Sequence, residues 1–373
     1  MSQLSVVPLS KVRLPAAPTL REQNLVHGDG CFAYFRGCTA YYSYDLAKVD
    51  SVVTTDASNI MNIAICGGNA WKHGPSPASA AAVSTIAVLA VATSSGIHVW
   101  DASASMRFIH TLEIKGGCRS IAWVPSNGRA PGSIVLAVGS MEDSSIHFLH
   151  VTSSSLKLIS TVLNPGVRGS SVCMASSPFT NSFVSCDISG SITFWSLPSG
   201  ADSDISAGNP GSFAVAHTTT FTEDAPTCVC CISGSLSKET EPANVSSSSA
   251  GPFASWPLWA CGFASGKVVI FDARGMEVCE IGAHVRGVTG IDYCSFTNGS
   301  GMHGGMLGTV SEDSVLQIFG IPSPQMLANS MPITLIGSTK IIDSILTGVG
   351  FPHSSAVCVV AYDSVSLQVM SLE

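Results

Sequence analysis

An all-β, seven-bladed β-propeller, closed by an N-terminal strand that completes the last blade, is the fold that three features of the sequence predict. Short β-branched and aromatic runs recur along the chain, separated by Gly, Ser, Pro, Asn and Asp, and no stretch keeps a helical period over three turns. One unit repeats about every 40 to 55 residues, the spacing of four-stranded propeller blades. It consists of a run ending in an aromatic, a turn, a small-residue run, a tight turn, and an apolar run ending in Trp or Phe. The final unit stops one strand short, and an unassigned strand-like run stands at the N-terminus.

Taken in order, the units span 24–57, 58–114, 115–163, 164–222, 223–280, 281–338 and 339–373. Their third strands are clearest at Ile97-His98-Val99-Trp100-Asp101, Ile192-Thr193-Phe194-Trp195, Val268-Val269-Ile270-Phe271-Asp272 and Val315-Leu316-Gln317-Ile318-Phe319. Each follows a turn containing Ser or Gly, as a tight hairpin requires. Ile146-His147-Phe148-Leu149 and Val365-Ser366-Leu367-Gln368-Val369 fill the same slot more weakly, and Arg107 to Ile114 and Pro332 to Ile336 read as further strands. The last unit ends at Val369 to Leu372, where a third strand belongs. The run Leu4-Ser5-Val6-Val7-Pro8-Leu9 is therefore expected to pair with Val365 to Leu372 and remove the open edge. Residues 68–82, 198–211 and 233–257 are low-complexity insertions, read as flexible loops that order on a partner.

The composition narrows the function. With 46% hydrophobic residues and a mean hydropathy of +0.37 there is ample apolar surface for a core. Charged residues make up only 11%, well below the usual quarter, which suits either a surface packed against partners or a compositional habit of the source organism. A net charge of −8 without any basic run argues against nucleic-acid binding. No signal-peptide pattern opens the chain, and the longest apolar run, Ile86 to Ala92, is too short to span a bilayer, so a cytoplasmic protein is expected. The 13 cysteines are scattered through strand-like runs, which reads as buried thiols in a reducing compartment.

Patterns that could carry chemistry fall short. Gly299-Ser300-Gly301-Met302-His303-Gly304 matches a dinucleotide fingerprint, yet a strand-like run follows where a helix is needed. Cys228, Cys230 and Cys231 have no second ligand pair at zinc spacing. His147 and His150 point to opposite faces of a strand. No Gly-x-Ser-x-Gly elbow occurs, and Glu223-Asp224 and Glu312-Asp313 sit in turns. No cofactor and no metal are expected. Trp71, Trp123, Trp256 and Trp259 could form an aromatic cage for a modified peptide, although Trp123 matches a core aromatic of a first strand.

The unit from Gly282 to Phe319 resembles the WD-repeat family. Gly282-Ala283-His284 stands at the Gly-His position, and Ser311 and Asp313 precede Phe319 by eight and six positions. The resemblance implies a buried hydrogen-bonded tetrad containing His284, Ser311 and Asp313, with Phe319 in place of the donor Trp. Within the family the chain is similar to WD repeat-containing protein 54 over nearly its whole length. The matching residues are Val12-Arg13-Leu14-Pro15, Leu25-Val26-His27-Gly28, Ala260-Cys261-Gly262-Phe263, Gly266-Lys267-Val268, Gly282-Ala283-His284-Val285-Arg286, Ser311-Glu312-Asp313 and Ala361-Tyr362-Asp363. The match is strongest in the last third. It implies a non-catalytic protein–protein interaction scaffold, in a microtubule-based, axonemal or ciliary assembly, and no membrane insertion.

Arg119, Arg168, Arg286 and Lys340 each lie at, or just before, an expected first strand, so in a ring they would gather at one channel mouth and could receive an acidic peptide. Two other functions compete with the scaffold. A reader of an acidic or modified peptide would use that mouth, and a propeller hydrolase would need a channel rich in His and carboxylates.

Overall fold

The computed structural model describes residues 4–28, 31–44, 46, 48–66, 88–102, 106–124, 134–164, 169–177, 182–196, 214–232, 257–297, 303–323, 326–327, 331–341 and 343–373. These form seven four-stranded antiparallel sheets arranged as blades. Strand β1 (Val6–Arg13) precedes blade 1, which holds β2 (Val26–Gly28), β3 (Cys31–Arg36), β4 (Thr39–Ser43) and β5 (Asp50–Val53). Blade 2 holds β6 (Ile60–Cys66), β7 (Val88–Thr93), β8 (Gly96–Asp101) and β9 (Arg107–Glu113); blade 3 holds β10 (Cys118–Val124), β11 (Ile134–Ser140), β12 (Ser145–Val151) and β13 (Leu156–Leu163). In blade 4 are β14 (Ser171–Ser176), β15 (Ser182–Asp187), β16 (Ser191–Ser196) and β17 (Ala214–Thr220), and in blade 5 are β18 (Pro226–Ile232), β19 (Leu258–Phe263), β20 (Lys267–Phe271) and β21 (Glu277–Gly282). Blade 6 holds β22 (Val288–Thr297), β23 (His303–Ser311), β24 (Val315–Pro322) and β25 (Thr334–Lys340). Blade 7 holds β26 (Leu346–His353), β27 (Ala356–Ala361) and β28 (Ser366–Leu372), and its fourth strand is β1. Among the described residues only Met326 and Leu327 are helical.

Burial follows position in the blade. Second strands such as β7, β11, β19 and β27 are buried at every residue, because they have a sheet on each face and a strand on each side. Outer strands such as β9 and β17 alternate between exposed and part-buried positions, as half-solvated strands do. Neighbouring inner strands pack side by side around the ring, including β26 against β2. Each of the seven interfaces between adjacent blades then encloses one apolar cluster. The cluster between blades 2 and 3, for instance, joins Val88, Ala90 and Val99 to Ile121, Trp123 and Leu136. All 13 cysteines are free thiols, nine of them buried within these strands.

The ring closes as the sequence predicts. β1 runs antiparallel to β28, with Val6 opposite Leu372, Val12 opposite Leu367 and Arg13 opposite Ser366. Its apolar residues pack on both faces of blade 7: Leu4 and Val6 rest on the blade 6–7 cluster, and Val12 and Leu14, beyond the bulge between Pro8 and Ser10, on the blade 7–1 cluster. The three insertions lie outside the described residues, except for Pro257.

Removing residues 1–13 takes away the part-buried Leu4, Val6 and Val12, whose burial together is worth about 3 kcal/mol, and bares the edge of β28. The midpoint of thermal unfolding, followed by near-ultraviolet circular dichroism, should fall by roughly 10 °C, with aggregation on heating. An unchanged melt would refute closure by β1.

Candidate functional site

The inner strands line a central channel that a short segment divides in two. Between β1 and β2 the chain enters the channel, and Gln23, at φ +52°, lines the cavities on both sides of it. Gln23 N–H donates to Thr289 O (2.7 Å), and its side-chain Nε2 donates to Val229 O (3.1 Å) and Ile291 O (3.4 Å), tying blade 1 to blades 5 and 6. Asn24 is fully buried beside it. Its amide Nδ2 donates to Thr19 O and Phe35 O, Oδ1 accepts from Phe35 N–H, and its own N–H reaches Thr347 O in blade 7. A buried amide with these bonds filled holds the segment in one position.

Above Gln23, where the inner strands begin, lies a cavity of about 240 Å³ lined by Arg21, Glu22, Arg119, Cys173 and Thr227. Below it, where the inner strands end, lies a larger one of about 560 Å³ lined by His27, Cys66, Trp123, Asp292, Tyr293 and Phe351, among others. Of the four cations expected to gather at one mouth, Arg119 lines the upper cavity, and Arg21 joins it from the dividing segment. Arg286 is exposed in the connection between β21 and β22 and does not line the cavity. Lys340 stands at the end of the outer strand β25, opposite Val315, and Arg168 lies outside the described residues.

His284 Nδ1 lies 3.1 Å from Asp313 Oδ2, and its Nε2 lies 2.9 Å from Thr309 Oγ1. Burial pushes the imidazole pKa down, so the neutral ring donates from Nδ1 to the carboxylate and accepts at Nε2 from the threonine. Thr309, not Ser311, is thus the hydroxyl beneath the histidine. The Ser311 hydroxyl instead shapes the turn, accepting from Asp313 N–H and donating to Arg286 O. Asp313 also accepts from Val285 N–H and Val315 N–H.

The indole that blade 6 lacks occurs in blade 4. Trp195 Nε1 donates to Ser185 Oγ at 2.8 Å, and Ser185 and Trp195 hold the same relative register as Thr309 and Phe319. In blade 2 the ties come from the previous blade. His98 lies on the third strand β8, fully buried, with Nδ1 2.9 Å from Thr111 Oγ1 and Nε2 facing Asp56 Oδ1 at 3.4 Å, an electrostatic contact and not a hydrogen bond. Asp56 also accepts from the hydroxyls of Ser58 and Ser95. Burial raises its pKa, but these bonds and the nearby imidazole outweigh that effect and hold the carboxyl below the usual range. Asp224 serves blade 5 in the same way, accepting from Ser265 N–H and Oγ and pairing with Lys267. An acid just before a first strand and a serine in the following turn are the sequence signal for this arrangement.

The remaining candidates are placed apart. Trp259 is buried in the blade 4–5 cluster, Trp123 in the blade 2–3 cluster, and Trp71 and Trp256 lie outside the described residues. Cys228 and Cys230 are buried, and Cys231 is partly so, on β18. Among the described residues no three His, Cys, Asp or Glu side chains meet in a metal-holding group. Positions 299–302 of the Gly-rich stretch lie outside the described residues, and His303 and Gly304 begin β23, a strand.

No known protein-family profile matches the chain, and no curated protein sequence matches it. Solved structures do. A crystal structure of BBS1N in complex with ARL6DN, soaked with lead, superposes with a TM-score of 0.61 at 9% identity, covering 100% of this chain and 98% of that one. The same complex soaked with mercury gives 0.61 at 8% identity with the same coverage. At such identity the likeness is one of fold, and this chain is a seven-bladed β-propeller.

Two predictions follow from these ties. Ser185→Ala leaves the buried Trp195 N–H without a partner and should cost about 1–3 kcal/mol in urea unfolding, with the slope unchanged. Burial also depresses the pKa values of His98, His147 and His284, so their stabilisation is complete above the unfolded pKa of about 6.5 and falls as the pH drops below it. Asp292, pushed by burial up to about 6, acts oppositely and loses its contribution as the pH rises through that value. His284→Gln should therefore reduce the stability lost between pH 7.5 and pH 5.5; an equal loss in variant and parent would refute the assignment.

Proposed function

We propose that the protein is a non-catalytic protein–protein interaction scaffold that docks a partner on its upper face. The observation that carries this reading is the pairing of apolar and cationic groups there. Val285 is 88% exposed, Ile188 55% and Leu20 48%, and they stand near Arg286, Arg119 and Arg21. Exposed aliphatic side chains beside arginines are the composition of a binding patch, since burying both on a partner recovers apolar area and charge-assisted hydrogen bonds. The low charge content of the whole chain supports the same reading, as does the fact that the similar propeller BBS1N was crystallised with a protein partner, ARL6DN.

A second reading has its own support. Arg21 and Arg119 line the upper cavity with Glu22 as their acidic neighbour, and an acidic peptide could take that place. The proposed setting, cytoplasmic and associated with a microtubule-based or ciliary assembly, comes from the resemblance to WD repeat-containing protein 54.

Affinity purification from the native cell with cross-linking mass spectrometry tests the scaffold. A stoichiometric partner should cross-link to the upper face, and the double variant Ile188→Glu, Val285→Glu should retain the fold but lose at least about tenfold in capture. Arg119→Ala combined with Arg21→Ala should weaken an acidic-peptide contact and leave an apolar one in place. Recovery of the chain alone, or capture unaffected by the glutamates, would overturn the proposal.

A further inference from the structure

The lower half of the channel has the makings of a ligand site distinct from the upper face. Its cavity, about 560 Å³, falls in the range of small-molecule pockets, and Gln23 closes it from above. The walls are mostly aliphatic and aromatic, with Ile65, Trp123, Tyr293 and Phe351 among them. The carboxylate among these lining residues is Asp292, on β22.

Asp292 sits where an anion is costly. Its Oδ2 accepts from Phe351 N–H at 2.9 Å, across the blade 6–7 interface, yet among the described residues no Lys or Arg lines the cavity with it. Burial raises its pKa despite the backbone hydrogen bonds from Phe351 and Tyr293. A carboxylate held in a mostly apolar chamber gains from any cation that enters, because the attraction is screened little there.

Two further groups of the lining residues are incomplete. Trp123 Nε1 and Tyr293 Oη are buried and have no hydrogen-bond partner among the described residues. Such groups normally find one, and the tyrosine oxygen can accept from an N–H of a guest ammonium. The tyrosine hydroxyl lies against Gly305, where any Cβ would collide with the phenol, so the absence of a side chain at 305 keeps this group in place. The aromatic faces add attraction for a positive charge.

We propose that the lower cavity binds a primary ammonium carried on an apolar stem, its charge on Asp292 and its stem against Trp123, Tyr293 and Phe351. A lysine side chain of a peptide and a free alkylamine share this chemistry. An unbranched stem of four or five carbons places the ammonium at depth while the apolar walls cover the methylenes.

The test uses the full chain at pH 7.5, where Asp292 is ionised. Titrations with n-pentylamine, N-acetyl-lysine N-methylamide, n-pentanol and pentanoate are followed by the indole N–H resonance of Trp123, identified by its loss in Trp123→Phe. The two amines should shift that resonance and bind at least about tenfold more tightly than pentanol, a charge-assisted bond being worth that much, and pentanoate should not bind. Tighter binding of the lysine derivative indicates a peptide guest, and tighter binding of pentylamine a free amine. Asp292→Asn keeps an acceptor for Phe351 N–H and should lose the preference for amines over pentanol. Equal binding of pentanol or pentanoate, no shift with either amine, or a preference that survives Asp292→Asn would each overturn the proposal. Should that variant fail to fold, the comparison of amine with alcohol in the parent chain decides alone.

Discussion

Every blade depends on having a neighbour on each side. A four-stranded sheet whose second strand is apolar on both faces, such as Val88–Thr93 or Ala356–Ala361, cannot bury itself, and the seven clusters lie between blades and not within them. An open chain of blades would leave two such faces in water. Closure is therefore a requirement of the core, and β1 on β28 meets it with hydrogen bonds and with Leu4, Val6, Val12 and Leu14.

Polar groups supply the alignment that apolar packing lacks, and they do so differently from blade to blade. Blade 6 uses His284, Thr309 and Asp313; blade 4 uses Trp195 and Ser185; blades 2 and 5 use Asp56 and Asp224 of the preceding connection, each bonded to a turn serine. In blades 2 and 5 they tie the start of a blade to its turn, in blade 6 they reach from the start through the turn to the interior, and in blade 4 they join two interior strands. Gln23 and Asn24 do the same across the channel, where backbone carbonyls of blades 5 and 6 would otherwise face a void. With few surface charges available, these short polar bonds set the register of the ring.

Fold and closure could be read in the sequence because they rest on local patterns: apolar runs of strand length, Ser and Gly at tight turns, and a last unit one strand short. The site was legible only in part. The resemblance to WD repeats points to His284 and Asp313, but it also points to Ser311 where Thr309 holds the role, since both are hydroxyl residues two apart on one strand and only pairing decides between them. Lys340 stands close before an inner strand in sequence, yet it ends the outer strand β25, and five residues separate it from Leu346. The ties through Asp56 and Asp224 cross from one blade to the next, and Gln23 reaches blades 5 and 6 from residues more than two hundred positions away, separations at which no local periodicity operates.

The pairing of Val6 with Leu372 also sets an order of events during synthesis. Among the strands of the ring β1 is made before all the others and its partner β28 after them, so the ring stays open until β28 has been synthesised. Until then the edges of blades 1 and 7 stay available to wrong neighbours, and contacts this distant in the chain form slowly. Until β28 emerges, a nearly complete propeller carries an unpaired edge and two unmatched apolar faces.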